Sequence, residues 1–254
     1  MKKITKTFRK LLAIPIVKMH FPENPIIVCG CARTGTTLIQ SILGAHPNIY
    51  SLKTETGEFT GGWERNRKGE LQPKRFDRFY KYFLENKIPF GPKRYCTKRP
   101  RNVHYLKEII EYHDNNLKII QMIRNPIDTL TSLHPTKEAG YYVSISRYIQ
   151  DTRAGFDFFD HPLVHIIKYE NLVTNFNKTI KKALVFLEEE YTKELDNWTQ
   201  HTTIKKSAAW FHNAKKIHKE SIGRKNRKRD KKRIKKIINN TELVEIAEKI
   251  GYNI

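Results

Sequence analysis

The apolar run Pro25-Ile26-Ile27-Val28-Cys29 passes into Gly30-Cys31-Ala32-Arg33-Thr34-Gly35-Thr36-Thr37 and then into a helical stretch ending at Leu43, with Gly44 and Pro47 as stop signals. A buried strand that turns through glycines into a helix is the geometry of a phosphate cradle. Its backbone N–H groups and the positive end of the helix face an anion. A nucleotide-triphosphate P-loop places lysine before its final hydroxyl residue, where it reaches the β/γ-phosphates. Here that slot holds Thr36, and the cation is Arg33 on the turn itself. The cradle is therefore poorly built for a Mg²⁺-triphosphate, and a nucleotide kinase is disfavoured.

A second strand candidate, Leu117 to Ile123, ends in Arg124-Asn125-Pro126. Pro126 is suited to open a helix, because its missing N–H is not needed in the first turn. Eight residues after Arg124 comes Ser132. Between the two patterns lies Cys96-Thr97-Lys98-Arg99-Pro100-Arg101-Asn102.

Together these stretches resemble the sulfotransferases that use 3′-phosphoadenosine 5′-phosphosulfate (PAPS), in particular bacterial members and those acting on carbohydrates and tyrosyl proteins. Arg33-Thr34-Gly35-Thr36-Thr37 fits all five places of that family's [KR]-[ST]-G-[ST]-T loop. The resemblance implies that this loop holds the 5′-phosphosulfate, that Arg124 and Ser132 hold the 3′-phosphate, and that Lys98 stabilises charge on the departing phosphate. Arg101 is an alternative cation for the last role. A Glu is expected after the stretch resembling D-A-H-P, here Ala45-His46-Pro47-Asn48. Glu55 fits if one residue is inserted; Glu58 and His46 remain open as the general base. Val164 to Val173 resembles the family's strand and Y-E-[DN]-L segment, with Tyr169 a nucleotide-pocket candidate. Ser221-Ile222-Gly223-Arg224 resembles the late S-I-G-R-W loop, with Arg224 a phosphate contact and Lys225 in place of tryptophan.

Strand candidates that alternate with helical stretches predict an α/β chain. The resemblance makes it a P-loop NTPase-like three-layer fold, a mostly parallel central sheet flanked by helices. We expect a basic N-terminal arm over residues 1–24 and a single domain over 25–254. The last helix announces itself through Leu243, Ile246, Ala247 and Ile250, with Asn240 or Thr241 as cap. Between Phe59 and Tyr95 no family pattern is legible, and insertions of this kind commonly build the substrate side of a site.

The chain of 254 residues carries a formal charge of +22. Residues 215–236 hold thirteen Lys/Arg against Glu220 and Asp230, half of that excess. Such a run would attract nucleic acid or anionic lipid, and the alternative to an enzyme is a basic nucleic-acid- or membrane-binding protein on a degenerate P-loop scaffold. The run lacks aromatic interleaving, and no RNA- or DNA-binding signature accompanies it. A positive rim equally suits an anionic co-substrate or glycan. Three cysteines, Cys29, Cys31 and Cys96, read as reduced thiols in a cytoplasmic protein, and C-x-C without a matching His or Cys cluster falls short of a metal site. The basic N-terminus with Leu11 to Val17 is too short to span a bilayer, leaving packing on the domain or peripheral membrane contact. For the acceptor, the family suggests a glycan hydroxyl first and a tyrosyl or small-molecule hydroxyl second; oligomeric state is not encoded in any pattern found.

Overall fold

A computed structural model describes residues 6–59, 76–133, 140–204 and 219–254. Trp63, Arg65, Arg67, Lys68 and Arg75 of the unread insertion, and Lys215 and Lys216 of the basic run, lie outside the described residues.

Five strands, β1 (Ile26–Gly30), β2 (Ile49–Ser51), β3 (Arg94–Lys98), β4 (Lys118–Ile123) and β5 (Val164–Lys168), form one parallel sheet in the order β2-β3-β1-β4-β5. Alternation along β1 gives the sheet two apolar faces, as the two-residue period of a strand requires. Ile26 and Val28 pack with Ile39, Ile42 and Leu43 of α2 (Thr36–Leu43) and with Ile180, Ala183 and Leu184 of α8 (Phe176–Leu187). Ile27 and Cys29 face the other way, onto Leu106, Ile109 and Ile110 of α4 (Leu106–Tyr112). Three layers result, and the all-parallel sheet agrees with the α/β architecture expected from the sequence.

Two further clusters close the ends. Ile127 and Leu130 of α5 (Pro126–Leu130) and Tyr148 and Ile149 of α6 (Ile145–Arg153) pack with Ile234 and Ile237 of α10 (Lys231–Ile238) and Leu243 and Ile246 of α11 (Thr241–Lys249). Asn240 caps α11 by accepting from the Leu243 N–H at 2.8 Å. On the opposite flank, α1 (Lys6–His20) packs on α3 (Phe76–Glu85). Ala13 and Phe21 share an aromatic cluster with Tyr50, Phe79, Phe83 and Tyr95, so α1 belongs to the folded body. α7 (Tyr169–Thr174) and α9 (Trp198–His201) complete the described helices.

The strand order positions the site. From β1 the chain travels to one side of the sheet, toward β2, whereas from β4 it travels to the other, toward β5. Outside the carboxyl ends of β1 and β4 the connections therefore diverge and leave a crevice, the usual ligand position in such sheets.

Candidate functional site: an anion cradle at the carboxyl end of the sheet

The loop after β1 is held in shape by two glycines at which a side chain would be strained. Gly30 has φ 130°, and a Cβ there would lie 2.3 Å from the Met122 carbonyl oxygen of the paired strand. Gly35 has φ 99°, and its Cβ would meet the Tyr169 ring at 2.5 Å. Arg33 also takes a left-handed conformation, φ 71°. Gly35 is the N-cap of α2 and has no side chain to occupy the first-turn N–H groups, which leaves those donors to an incoming anion. Thr34 turns inward: its hydroxyl donates to the Cys31 carbonyl at 2.7 Å, its N–H reaches the same oxygen at 3.3 Å, and it is buried. Thr34 thus closes the loop from within, and Gly35, Thr36 and Thr37 form the open part of the cradle.

Sheet register brings the second element alongside. Ile123 pairs with Lys168, so the next residues, Arg124 and Tyr169, emerge side by side from β4 and β5. The Arg124 guanidinium lies 4.1 Å from the Tyr169 ring centroid. One of its terminal nitrogens donates to the Arg33 carbonyl at 2.8 Å and the other to the Ser221 carbonyl. Tyr169 adds a hydroxyl contact to Ser221 Oγ at 2.7 Å, and Tyr148 donates to the Arg124 carbonyl at 2.8 Å. Arg124 is thereby a strut between the glycine loop and the late 221–224 loop, although it is only 5 % exposed.

That late loop is fastened by a residue the sequence reading did not single out. Asp128, in the first turn of α5, accepts the N–H groups of Gly223 (3.1 Å) and Arg224 (2.8 Å). Ile222, just before them, packs on the core, and Lys225, in the place of the expected tryptophan, is exposed. Arg224 then reaches back so that its Nη1 donates to Ser132 Oγ at 2.9 Å. Ser132 in turn donates to the Asp128 carbonyl at 2.9 Å. An acid in the first turn of a helix was the available signal for Asp128, but its partners lie more than ninety positions away.

Three guanidinium groups now share one small region. Burial lowers the pKa of Arg33, and the neighbouring Arg124 lowers it further. Burial, then Arg124 and Arg227, bring Arg224 down to about 10, against the opposing pull of Asp128. The Nε atoms of Arg33, Arg124 and Arg224 are all buried without a hydrogen-bond partner. Buried donors and crowded like charges are costly unless an acceptor of opposite sign completes them. The donor set is that of a site for phosphate or sulfate groups.

Lys98 closes the β3 side. Register sets it beside Val28, two residues before the glycine loop begins. It is 5 % exposed and its ammonium donates to Glu55 Oε1, while the Glu55 side chain is 41 % exposed. Arg101, the alternative cation, is exposed on the following 3₁₀ turn. The three candidate bases separate cleanly. Glu58 is 2 % exposed, takes hydroxyl hydrogen bonds from Thr56 and Thr97, and has its pKa raised by burial. His46 accepts from the Asn48 N–H at 3.2 Å and lies 2.9 Å from the Glu190 carbonyl, both ring nitrogens engaged at the turn that precedes β2, at the amino end of the sheet. Only Glu55 combines closeness to Lys98 with exposure.

Among the described residues no set of three His, Cys, Asp or Glu side chains could hold a metal ion, and no helix is long and apolar enough to cross a membrane. Cys29, Cys31 and Cys96 are free and buried, and burial raises the pKa of each.

A family model described as "Sulfotransferase family" matches residues 25–193. Among solved structures, the sulfotransferase domain from the curacin biosynthetic pathway aligns at 15 % identity with a TM-score of 0.59, over 91 % of this chain and 99 % of that one. The sulfotransferase domain of the Synechococcus PCC 7002 olefin synthase gives 17 % identity and 0.54 over 91 % and 97 %. Mouse sulfotransferase SULT7A1, complexed with PAP, gives 18 % and 0.52 over 95 % and 94 %. At such identities the structural likeness speaks for the shared fold. No curated protein matches the sequence.

Proposed function

Since the chain belongs to the sulfotransferase family, we propose that it transfers the sulfuryl group of PAPS to an acceptor hydroxyl, with a glycan as the first candidate acceptor. The observation that carries this reading is the trio of partnerless guanidinium nitrogens on Arg33, Arg124 and Arg224 around the cradle. PAPS has anionic groups at both ends, and the trio offers cations to both. The presence of PAP in the mouse enzyme of similar fold supports the same co-substrate here.

In this scheme the N–H groups of Gly35 to Thr37 and the Arg33 guanidinium bind the 5′-phosphosulfate, while Arg124, Ser132 and Arg224 bind the 3′-phosphate. Tyr169, already stacked on Arg124, orients that guanidinium and borders the nucleotide. The reaction forms a bond between acceptor oxygen and sulfur, breaks the bond from sulfur to the phosphate oxygen, and releases PAP. Lys98 exchanges its Glu55 contact for the phosphate oxygen that gains charge, an electrostatic role of the kind that dominates such transfers. Glu55, released from the ammonium and open to solvent, takes the hydroxyl proton. Glu58 is too enclosed to reach an acceptor, and it steadies Thr97 next to Lys98.

The test has two arms. Calorimetry with adenosine 3′,5′-bisphosphate against adenosine 5′-monophosphate should show much tighter binding of the former, and labelled sulfate should pass from PAPS into a panel of glycans, tyrosyl peptides and phenols. Equal affinity for the two nucleotides would overturn the assignment of Arg124, Ser132 and Arg224; transfer confined to phenols or peptides would replace the glycan.

A further inference from the structure

One apolar surface lies apart from the anion cradle. α1 is apolar around its circumference from Leu11 to Val17, and a helix of that composition is ordinarily covered on all sides. Here one side is covered: Ala13 is fully buried, and Ile14 and Val17 pack against the aromatic cluster of α3. Leu11 and Met19 are 65 % and 73 % exposed, with Leu12, Pro15 and Lys18 exposed beside them. Leu11, Pro15 and Met19 recur at four-residue spacing and so lie in one stripe along the helix. At its end His20 stacks on the Phe90 ring at a centroid distance of 5.5 Å, and Phe90, on the loop before β3, is 92 % exposed. A row of Leu, Pro, Met and Phe on the water side marks a contact surface.

Charge identifies what the row contacts. The first twenty residues contain Lys2, Lys3, Lys6, Arg9, Lys10 and Lys18 and no Asp or Glu. Lys87 is exposed shortly before Phe90, and the acids nearby in sequence, Glu85 and Glu23, are taken up by Lys81 and by Lys93 and Arg94. Apolar side chains on a segment rich in cations and without acids in its sequence match an anionic bilayer, whose acyl boundary takes the former and whose headgroups take the latter. A helix of 15 residues with Pro15 and Lys18 in it falls short of the roughly 20 apolar residues that crossing requires, so it lies in the plane of the surface. We propose that α1 and Phe90 form a docking face for an anionic lipid bilayer. The face flanks the β2 edge of the sheet, while the anion cradle opens at the carboxyl ends of β1 and β4, so docking leaves co-substrate entry clear.

Flotation of the full chain with phosphatidylcholine vesicles, with and without phosphatidylserine, tests this. The expected result is co-flotation with the phosphatidylserine vesicles alone, weakened by salt. The double variant M19E/F90E should bind them about tenfold less or worse, with affinity for adenosine 3′,5′-bisphosphate unchanged as the check on folding. Failure of the unmodified chain to float, or equal flotation of the variant, overturns the proposal. So does a lipid-free dimer of the unmodified chain that the same variant dissociates, since the stripe would then belong to a second copy.

Discussion

Around Arg124 the partners come from remote parts of the chain: Arg33 is 91 positions away and Ser221 is 97. Around Lys98 they come from one loop and one strand, with Glu55 at 43 positions, Glu58 held by its neighbour Thr56, and Thr97 adjacent. The first region is closed on itself in two triads joined by the 221–224 loop, Arg124 and Tyr169 on Ser221, and Asp128, Arg224 and Ser132 on one another. The second ends in an exposed carboxylate and continues into Tyr80, Tyr112, Phe59 and His113, where Tyr80 and Tyr112 join hydroxyls at 2.8 Å. A binding region for an invariant co-substrate can be rigid and cross-linked. On the proposed reading the second region admits the acceptor, and loops beside such a region commonly set its specificity.

The largest expected effect breaks the closed region. Arg124→Ala removes a fork-shaped cation and two braces, and should weaken adenosine 3′,5′-bisphosphate binding by about a hundredfold by calorimetry. Arg124→Lys should recover only part of this, because an ammonium cannot span both loops. Comparable affinity in the alanine variant would show that the two regions are not functionally distinct.

On the Lys98 side the prediction has the opposite signature. Lys98→Ala and Glu55→Gln should each lower kcat by about a hundredfold while leaving bisphosphate affinity within about threefold of the unmodified protein. Glu58→Gln should retain turnover. A loss of affinity in Lys98→Ala matching that of Arg124→Ala would move Lys98 into the binding region.

A smaller effect concerns the late loop. Asp128→Ala should speed hydrogen exchange of the Gly223 and Arg224 amides by about tenfold, because both lose a charge-assisted acceptor. Unchanged exchange would mean that Ile222 and the contacts of Ser221 and Arg224 hold the loop without Asp128.

The smallest effect is on pH dependence. Burial lowers His113 to about 4, and its Nε2 has no partner. The unfolded chain then takes up a proton at about 6.5 while the folded one resists until about 4, so stability falls as pH drops through that window and His113 adds no slope above it. Denaturant melts of His113→Gln at pH 7 and pH 5 should differ less than those of the unmodified protein.

Much of the closed region was legible in the sequence, because its signals are local. The glycine loop, the helix from Thr36 to Leu43, Pro126 and the Asn240 cap each follow from the steric preferences of a few adjacent residues. The Glu55, Glu58 and His46 ambiguity was not resolvable there, since all three are plausible proton acceptors by residue type. Burial of Glu58 and the engagement of both His46 nitrogens separate them, and these are facts of packing. Asp128 and Tyr148 were missed for the same reason: nothing near them in the chain announces a partner. For the N-terminal arm the sequence left packing on the domain and membrane contact both open; Ala13 and Phe21 pack in the core.

By itself the sequence determined the pieces: a strand that must turn through Gly30 and Gly35, a cation displaced to Arg33, and a second strand ending at Arg124. Steric limits on φ and the periods of strand and helix act within a few residues, so they are written locally. Which ends meet was decided only by the tertiary structure. Setting β4 against β1 and β5 against β4 carries Arg124 to the Arg33 carbonyl and Tyr169 under its guanidinium, and those contacts depend on a strand order held by apolar burial on both faces of the sheet.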